Sequence, residues 1–186
     1  MKTVIAYESK NHQSVLKLVK AIEEKYPVTL IDVTETRSAN LIEYDLIGFA
    51  SEIEDDGFYR DIASFAANWM PREKKIFFLY TCGSDRPEYC EEIEGTAHFK
   101  SCEVVGKYCC LGQENVSGFK LFGNKNRTHP NEDEIEAALK FFADITGEKP
   151  KEKPEEKKPE DKKPDEKKPD EKKPEPEKDK DKKESK

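Results

Sequence analysis

The sequence predicts an α/β protein with a parallel sheet that is covered by helices on both faces. Short apolar runs and amphipathic helical patterns alternate five times before Gly147. Some of the apolar runs are uninterrupted, as is typical of parallel strands buried on both faces. Such alternation requires right-handed crossovers, so ligands are expected at the carboxyl ends of the strands.

The first strand, turn and helix form a candidate anion site. An apolar run from Thr3 to Tyr7 meets a polar turn, and a helical pattern begins directly after Ser14. Backbone N–H groups of the turn and of the helix N-terminus point at one spot, where the helix dipole adds positive potential. The alternative is an ordinary strand–helix connection with Ser14 as the N-cap residue.

Four further strands are predicted, over residues 28–33, 44–50, 75–80 and 103–111. The run from Tyr44 to Ala50 is nearly continuous in apolar residues, which predicts a central strand. Between the strands, Leu41 and Ile42 are expected to form a packed half-turn, and residues 51–57 are expected to form a loop.

Three further helices complete the pattern. The first has apolar residues at helical spacing, namely Phe58, Ile62, Phe65, Ala66 and Trp69. The second, residues 87–100, begins with Pro87 in its first turn. Asn131 caps the last helix, which Gly147 ends. The long connection over residues 112–130 favours a function or a cover over bare linkage.

Composition divides the chain into one domain, residues 1–147, and a tail, residues 148–186. The tail consists almost wholly of Lys, Glu, Asp and Pro, with Pro recurring at about every fifth position. It cannot bury enough apolar surface to offset the entropy of ordering, and its prolines block a continuous helix. We therefore expect residues 148–186 to be disordered.

The predicted domain is acidic. The chain has a formal charge of -7, and residues 148–186 contribute +1 because 16 Lys oppose 15 Asp and Glu. Residues 1–147 therefore carry −8. This charge argues against binding to nucleic acid or to anionic membranes, and it suits a partner with a basic surface.

Cysteine usage and hydropathy predict a reduced, cytoplasmic protein. Five cysteines occur without a C-x-x-C motif, and three scattered histidines make a zinc site unexpected. Because Met1 and Lys2 lead directly into a short apolar strand, we expect no signal peptide. No apolar run approaches the roughly 20 residues of a membrane span.

Four stretches of residues 1–147 resemble the flavodoxin family, in particular its short members in anaerobic bacteria. Tyr7–Ile22 (YESKNHQSVLKLVKAI) is similar to the family's S-K-[HT]-H-G-N-T phosphate loop and the following helix. The others are Glu43–Ser51 (EYDLIGFAS), Phe78–Gly83 (FLYTCG) and Gly118–Glu132 (GFKLFGNKNRTHPNE). The resemblance implies a doubly wound, flavodoxin-like sheet of five parallel strands in the order 2-1-3-4-5.

The resemblance also implies a function. Flavodoxins hold flavin mononucleotide (FMN) without a covalent bond, with its phosphate in the first loop and its ring between the second and third loops. The usual role is one-electron transfer at low potential, here as a monomer with a basic-surfaced redox protein as partner. The residues that match the binding loops are Ser9, Lys10, Asn11, His12, Gln13, Ser14, Val15, Ser51, Glu52, Ile53, Thr81, Cys82 and Gly83.

The binding loops depart from the family pattern. Aligned without gaps, the family's G-N-T corresponds to residues 13–15, and shifted by one residue to residues 12–14, so its Gly is lost either way. The family's G-I-Y-F is replaced by Glu52-Ile53-Glu54-Asp55-Asp56. These carboxylates either repel a phosphate by pointing inward or remain solvated.

Two functions of different classes follow from the sequence. The first is an FMN-binding electron carrier. The alternative is a flavin-free binding or interaction module that kept the fold while its FMN loops degenerated. A flavin-dependent reductase is a third reading, but it lacks a visible acid–base pair, and we assign no catalytic residue.

Overall fold

The computed structural model describes residues 1–10, 13–84, 86–112 and 128–151. Within these ranges the strands are β1 (Thr3–Glu8), β2 (Val28–Asp32), β3 (Leu46–Glu54), β4 (Gly57–Phe58), β5 (Lys75–Cys82) and β6 (Glu103–Leu111). The helices are α1 (Ser14–Lys25), α2 (Arg60–Trp69), α3 (Glu91–Phe99) and α4 (Glu132–Thr146).

The five long strands form a parallel sheet in the order β2-β1-β3-β5-β6. This is the predicted order 2-1-3-4-5, and the doubly wound fold is confirmed. β4 is an additional strand that pairs with β3 in the antiparallel direction. The strand order reverses between β1 and β3, so the carboxyl ends of these strands are the expected ligand position.

Alternating side chains on the strands build two cores, one on each face of the sheet. One face packs against α2 and α3 and includes Val4, Ala6, Ile47, Phe49, Ile76 and Phe78. The other face packs against α1 and α4 and includes Ile5, Tyr7, Leu46, Ala50, Phe77 and Leu79. The near-continuous apolar runs in the sequence are therefore explained by burial on both sides.

The central pair β3 and β5 leaves no room for a side chain at Gly48. A Cβ atom added there would lie 2.4 Å from Cζ of Phe77, which is fully buried. Phe77 thus packs directly over the β3 backbone. Glycine at this position is a requirement of packing.

α4 has both of the ends that the sequence predicts. The Asn131 side chain accepts a hydrogen bond from the Glu134 N–H at 2.9 Å, and the Glu134 carboxylate accepts one from the Asn131 N–H at 2.7 Å. Gly147 ends the helix in the left-handed conformation, with φ 68°. Beyond residue 151 the predicted tail lies outside the described residues, so its disorder stays a prediction.

The predicted loop over residues 51–57 is wrong. β3 continues to Glu54, and β4 turns back along it after a two-residue turn at Asp55 and Asp56. Both turn residues have positive φ, 48° and 64°, which aspartate tolerates better than most residues and which a tight hairpin requires. The following helix accordingly begins at Arg60, two residues later than predicted.

Two smaller expectations also need correction. Leu41 is buried, but Ile42 is 68% exposed, so the two residues do not form a packed half-turn. Pro87 opens a 3-10 turn, Pro87–Cys90, and α3 starts only after it. Most of the long connection over residues 112–130 lies outside the described residues.

Replacing Gly48 by alanine should destabilise the protein by about 1–3 kcal/mol, because the added methyl group overpacks the Phe77 ring. The matched control is Gly95→Ala in α3, where an added Cβ meets no atom within 4 Å. That control should be neutral or stabilising by up to about 1 kcal/mol. Urea unfolding measures both, and an unchanged midpoint for Gly48→Ala would contradict the packing.

Candidate functional site

The turn between β1 and α1 lies at the carboxyl edge of the sheet, but Ser14 is not its N-cap. Gln13 holds that position, in the left-handed conformation with φ 55° and without a side-chain capping hydrogen bond. Ser14 is the first residue of the helix and is buried. A glycine would adopt the Gln13 conformation more easily. Asn11 and His12 lie outside the described residues.

The carboxylate of Glu52 occupies this turn. Its Oε1 accepts hydrogen bonds from the Ser9 hydroxyl at 2.5 Å and from the Val15 N–H at 3.2 Å. Its Oε2 accepts one from the Lys10 N–H at 2.7 Å. Ser9 Oγ also accepts from the Leu16 N–H at 3.3 Å. The donors predicted to hold a phosphate therefore hold a carboxylate of the chain itself.

A second carboxylate, Glu8, caps the start of α2. Glu8 is fully buried at the end of β1, and its Oε2 accepts a hydrogen bond from the Ile62 N–H at 2.9 Å. Its Oε1 forms an ion pair with Lys10 Nζ at 2.5 Å. The sequence interpretation missed Glu8, and the available signal was a charged residue ending an otherwise apolar strand.

Strand register explains how the two carboxylates reach different helices. Glu8 lies beside Ser51 in the β1–β3 pair, so Glu52 is one residue further along β3. Successive side chains of a strand point to opposite faces. Glu8 therefore follows Ala6 onto the face of α2, and Glu52 follows Ala50 onto the face of α1.

Lys10 and Tyr59 lie beside both carboxylates. Lys10 Nζ is 4.5 Å from the centroid of the Tyr59 ring, and its hydrogen bond to Glu8 raises its pKa. Burial raises the pKa of the Tyr59 hydroxyl well above its ordinary value, and the charge of Glu52 adds to this effect. Tyr59 thus remains a neutral phenol against an acidic cluster.

The second predicted binding loop is part of the sheet. Ser51 is buried, and its hydroxyl accepts from the Tyr59 N–H at 3.0 Å and donates to the Glu52 carbonyl at 2.6 Å. Ile53 pairs with Phe58 in the hairpin, and Glu52 is in register with Thr81 of β5. Residues predicted for two facing loops therefore lie on paired strands, and their role in cofactor binding stays a prediction.

The third predicted loop ends β5. Thr81 is buried, and an added Cβ on Gly112 would lie 2.8 Å from its Oγ1. Cys82 is also buried, with its Sγ 3.1 Å from Sγ of Cys109, and Gly83 follows it half-buried.

Across the part of the chain that the structure describes, no helix combines the length and the apolar character needed to cross a membrane. Within the same ranges, no three or more His, Cys, Asp or Glu side chains are grouped so that they can hold a metal ion.

Comparisons with known proteins agree with this architecture. "Uncharacterized protein MJ0298" of Methanocaldococcus jannaschii is 31% identical over 147 residues, which cover 78% of this chain and 98% of that protein. The chain belongs to the same family as MJ0298. No protein-family model matches the chain.

Solved structures identify the fold of this chain as flavodoxin-like. Oxidised Flavodoxin 1 from Bacillus cereus superposes with a TM-score of 0.56 at 18% identity, over 79% of this chain and 98% of its own. A flavodoxin, WrbA-like protein from Agrobacterium tumefaciens gives a TM-score of 0.54 at 17% identity, over 77% of this chain and 94% of its own. At these identities the likeness concerns the fold.

The described part of the phosphate turn in this MJ0298-family protein does not fit the phosphate of FMN. Three of its donors, from Ser9, Lys10 and Val15, already bind the Glu52 carboxylate. A phosphate in the same place would face that negative charge, and the ammonium group of Lys10 is paired with Glu8. The geometry is that of an anion site with an internal occupant.

Glu52→Gln should lower the free energy of unfolding by about 1–3 kcal/mol, because the hydrogen bonds to a charged acceptor are lost. The matched control, Glu54→Gln, alters an exposed residue of the same strand and should change stability by less than about 0.5 kcal/mol. Urea unfolding compares the two variants. Equal effects would mean that Glu52 does not hold the turn.

The raised pKa of Tyr59 predicts a loss of stability at alkaline pH. Its ordinary value is 10.0, which also applies to the unfolded chain, whereas the folded value is higher. Below pH 10 both states keep the proton; above it the unfolded chain loses the proton first, so folding weakens as pH rises. Tyr59→Phe should flatten this decline in unfolding curves recorded across that range, and an unchanged slope would contradict the assignment.

Proposed function

We propose that this protein is a flavin-free binding module on a flavodoxin-like fold, in which Glu52 stands in for the phosphate of FMN. One observation carries the proposal: the Glu52 carboxylate accepts hydrogen bonds from three converging donors, which are Ser9 Oγ, Lys10 N and Val15 N. These donors of the turn and of the start of α1 thereby have an acceptor without a cofactor. The rest of the flavodoxin-like fold is kept.

Electrostatics supports this choice over FMN binding. Two unit charges about 4 Å apart repel by about 4 kcal/mol at an effective dielectric constant of about 20. That energy corresponds to roughly a thousandfold in affinity. FMN would have to bear this repulsion or displace Glu52 from its hydrogen bonds, and either route weakens binding.

The acidic charge of residues 1–147 supports a protein with a basic surface as the partner of this module. Residues 1–147 carry a formal charge of −8, and the exposed β3–β4 hairpin presents Glu54 and Asp55. An acidic surface of this kind steers a basic protein into a fast encounter. A monomer in the cytoplasm, as expected from the sequence, is part of this proposal.

The second candidate is the FMN-binding electron carrier that the family resemblance implies. It is favoured by the donors themselves, because the Ser9 hydroxyl and the N–H groups of Lys10 and Val15 are the groups that bind a phosphate at a helix N-terminus. In this candidate Glu52 leaves the turn when FMN binds. The flavodoxin-like neighbours are consistent with it at the level of the fold.

Absorption and flavin fluorescence distinguish the two candidates. The purified full-length protein should be colourless, and it should not quench the fluorescence of FMN at micromolar concentrations. Glu52→Gly should bind FMN more tightly than the wild type does, because it removes the charge and vacates the donors. The matched control Glu54→Gly removes an exposed charge two residues away and should leave FMN binding as weak as in the wild type.

The results distinguish whether the protein lacks FMN binding from whether Glu52 is the reason. A yellow protein, or quenching by the wild type at micromolar FMN, would overturn the proposal and favour the electron carrier. If neither the wild type nor Glu52→Gly binds FMN, the flavin-free function stands, but Glu52 is not what excludes the cofactor. Riboflavin, which lacks the phosphate, shows whether any gain in Glu52→Gly depends on that group.

A further inference from the structure

Two thiols meet where β5 and β6 reach the carboxyl edge of the sheet. The sulfur atoms of Cys82 and Cys109 are 3.1 Å apart, although the residues are separated by 27 positions in the sequence. Register explains the contact: Cys82 is in line with Leu111, two residues beyond Cys109, so both side chains point to the same face. A disulfide needs an S–S distance of about 2.05 Å, so the sulfur atoms must approach by about 1 Å, with adjustment of the strand ends because the two residues are diagonal neighbours.

Cys110 is excluded from this pair by its position. It follows Cys109 directly in β6, so its side chain points to the opposite face, where it packs with Leu18 and Ala138. Burial and the charge of Glu134 raise the pKa of the Cys110 thiol to about 12. Cys110 therefore stays protonated near neutral pH, and a protonated thiol is a poor nucleophile.

The two thiols of the pair differ in access. Cys82 is 5% exposed, whereas Cys109 is half-buried. Both residues line a cavity of about 490 Å³ at the carboxyl edge, and Cys110, Leu111, Asn131 and Glu134 line it as well. Because Cys109 is the more exposed of the two, we expect a small reagent to reach it first, and Cys82 lies next to the Cys109 sulfur.

We propose that Cys82 and Cys109 form a dithiol–disulfide pair that exchanges with low-molecular-weight disulfides and dithiols. The Cys109 thiolate attacks one sulfur of a small disulfide, which forms a mixed disulfide and releases one thiol. Cys82 then attacks the Cys109 sulfur and releases the second thiol. Two protein thiols and one small disulfide thus become one protein disulfide and two small thiols, which take up the two protons.

Oxidation joins the ends of two neighbouring strands. The Cys82 carbonyl accepts a hydrogen bond from the Gly112 N–H at 3.0 Å, so the residue that follows β6 is tied to the same position. Oxidation of the pair therefore links the carboxyl ends of β5 and β6. These strands are separate from the β1–α1 turn that Glu52 occupies. The inference does not depend on whether FMN binds.

The test is oxidation of the native full-length protein with glutathione disulfide, followed by alkylation, intact mass and peptide mapping. The expected product has three of the five cysteines alkylated, a bond between Cys82 and Cys109, and full reversal by dithiothreitol. The matched control Cys90→Ser changes a buried cysteine outside the pair and should form the same bond. Circular dichroism verifies that each variant is folded.

Single substitutions test the order of attack. Cys82→Ser should accumulate a mixed disulfide with glutathione at Cys109, whereas Cys109→Ser should lose both the protein disulfide and the adduct. Five alkylated cysteines in the oxidised wild type, a bond that involves Cys110, or bond formation only in urea would overturn the proposal. Because mapping of the wild type decides the main point, a variant that does not fold leaves the test intact.

Discussion

The hydrogen bonds between Glu52 and the β1–α1 turn hold the carboxyl edge of this protein together. Helix α1 begins at a left-handed Gln13 that supplies no side-chain cap, so its first N–H groups depend on other segments. Glu52 serves the Val15 N–H and Ser9 serves the Leu16 N–H. A carboxylate at this end also interacts favourably with the helix dipole. The contact joins two segments that the β1–β3 pairing has already brought side by side.

Glu8 and Glu52 extend this arrangement to both faces of the sheet. Glu8 is the last buried residue of β1, and Glu52 directly follows the buried residues of β3. Each accepts a hydrogen bond from the start of a helix on its own face, and Lys10 donates its N–H to Glu52 and pairs its ammonium group with Glu8. Where a cofactor phosphate would satisfy such a turn, the chain uses its own side chains. Among the described residues these turn and helix N–H groups therefore have acceptors within the chain itself, which is the physical basis of the proposed flavin-free function.

The same edge has different chemistry at its two ends. At the switch point between β1 and β3 it is acidic and closed by internal hydrogen bonds. At β5 and β6 it presents a pair of neighbouring thiols beside a cavity of about 490 Å³. The proposed exchange of this thiol pair with small disulfides requires neither a metal ion nor a flavin.

The sequence by itself determined the five long strands, the four helices and the ends of α4, but not the β3–β4 hairpin. The hydrophobic period and helix capping, as by Asn131 and Glu134, depend on neighbours a few positions away in the sequence. The family resemblance supplied the order of the strands. For Glu52 the sequence left two alternatives open, an inward carboxylate or a solvated one. Only the tertiary structure decided between them, because Ser9 and Glu52 are 43 residues apart and meet through strand register. The contact of Cys82 with Cys109 was beyond the sequence for the same reason: it depends on which strands pair and in which register, and no local pattern encodes that.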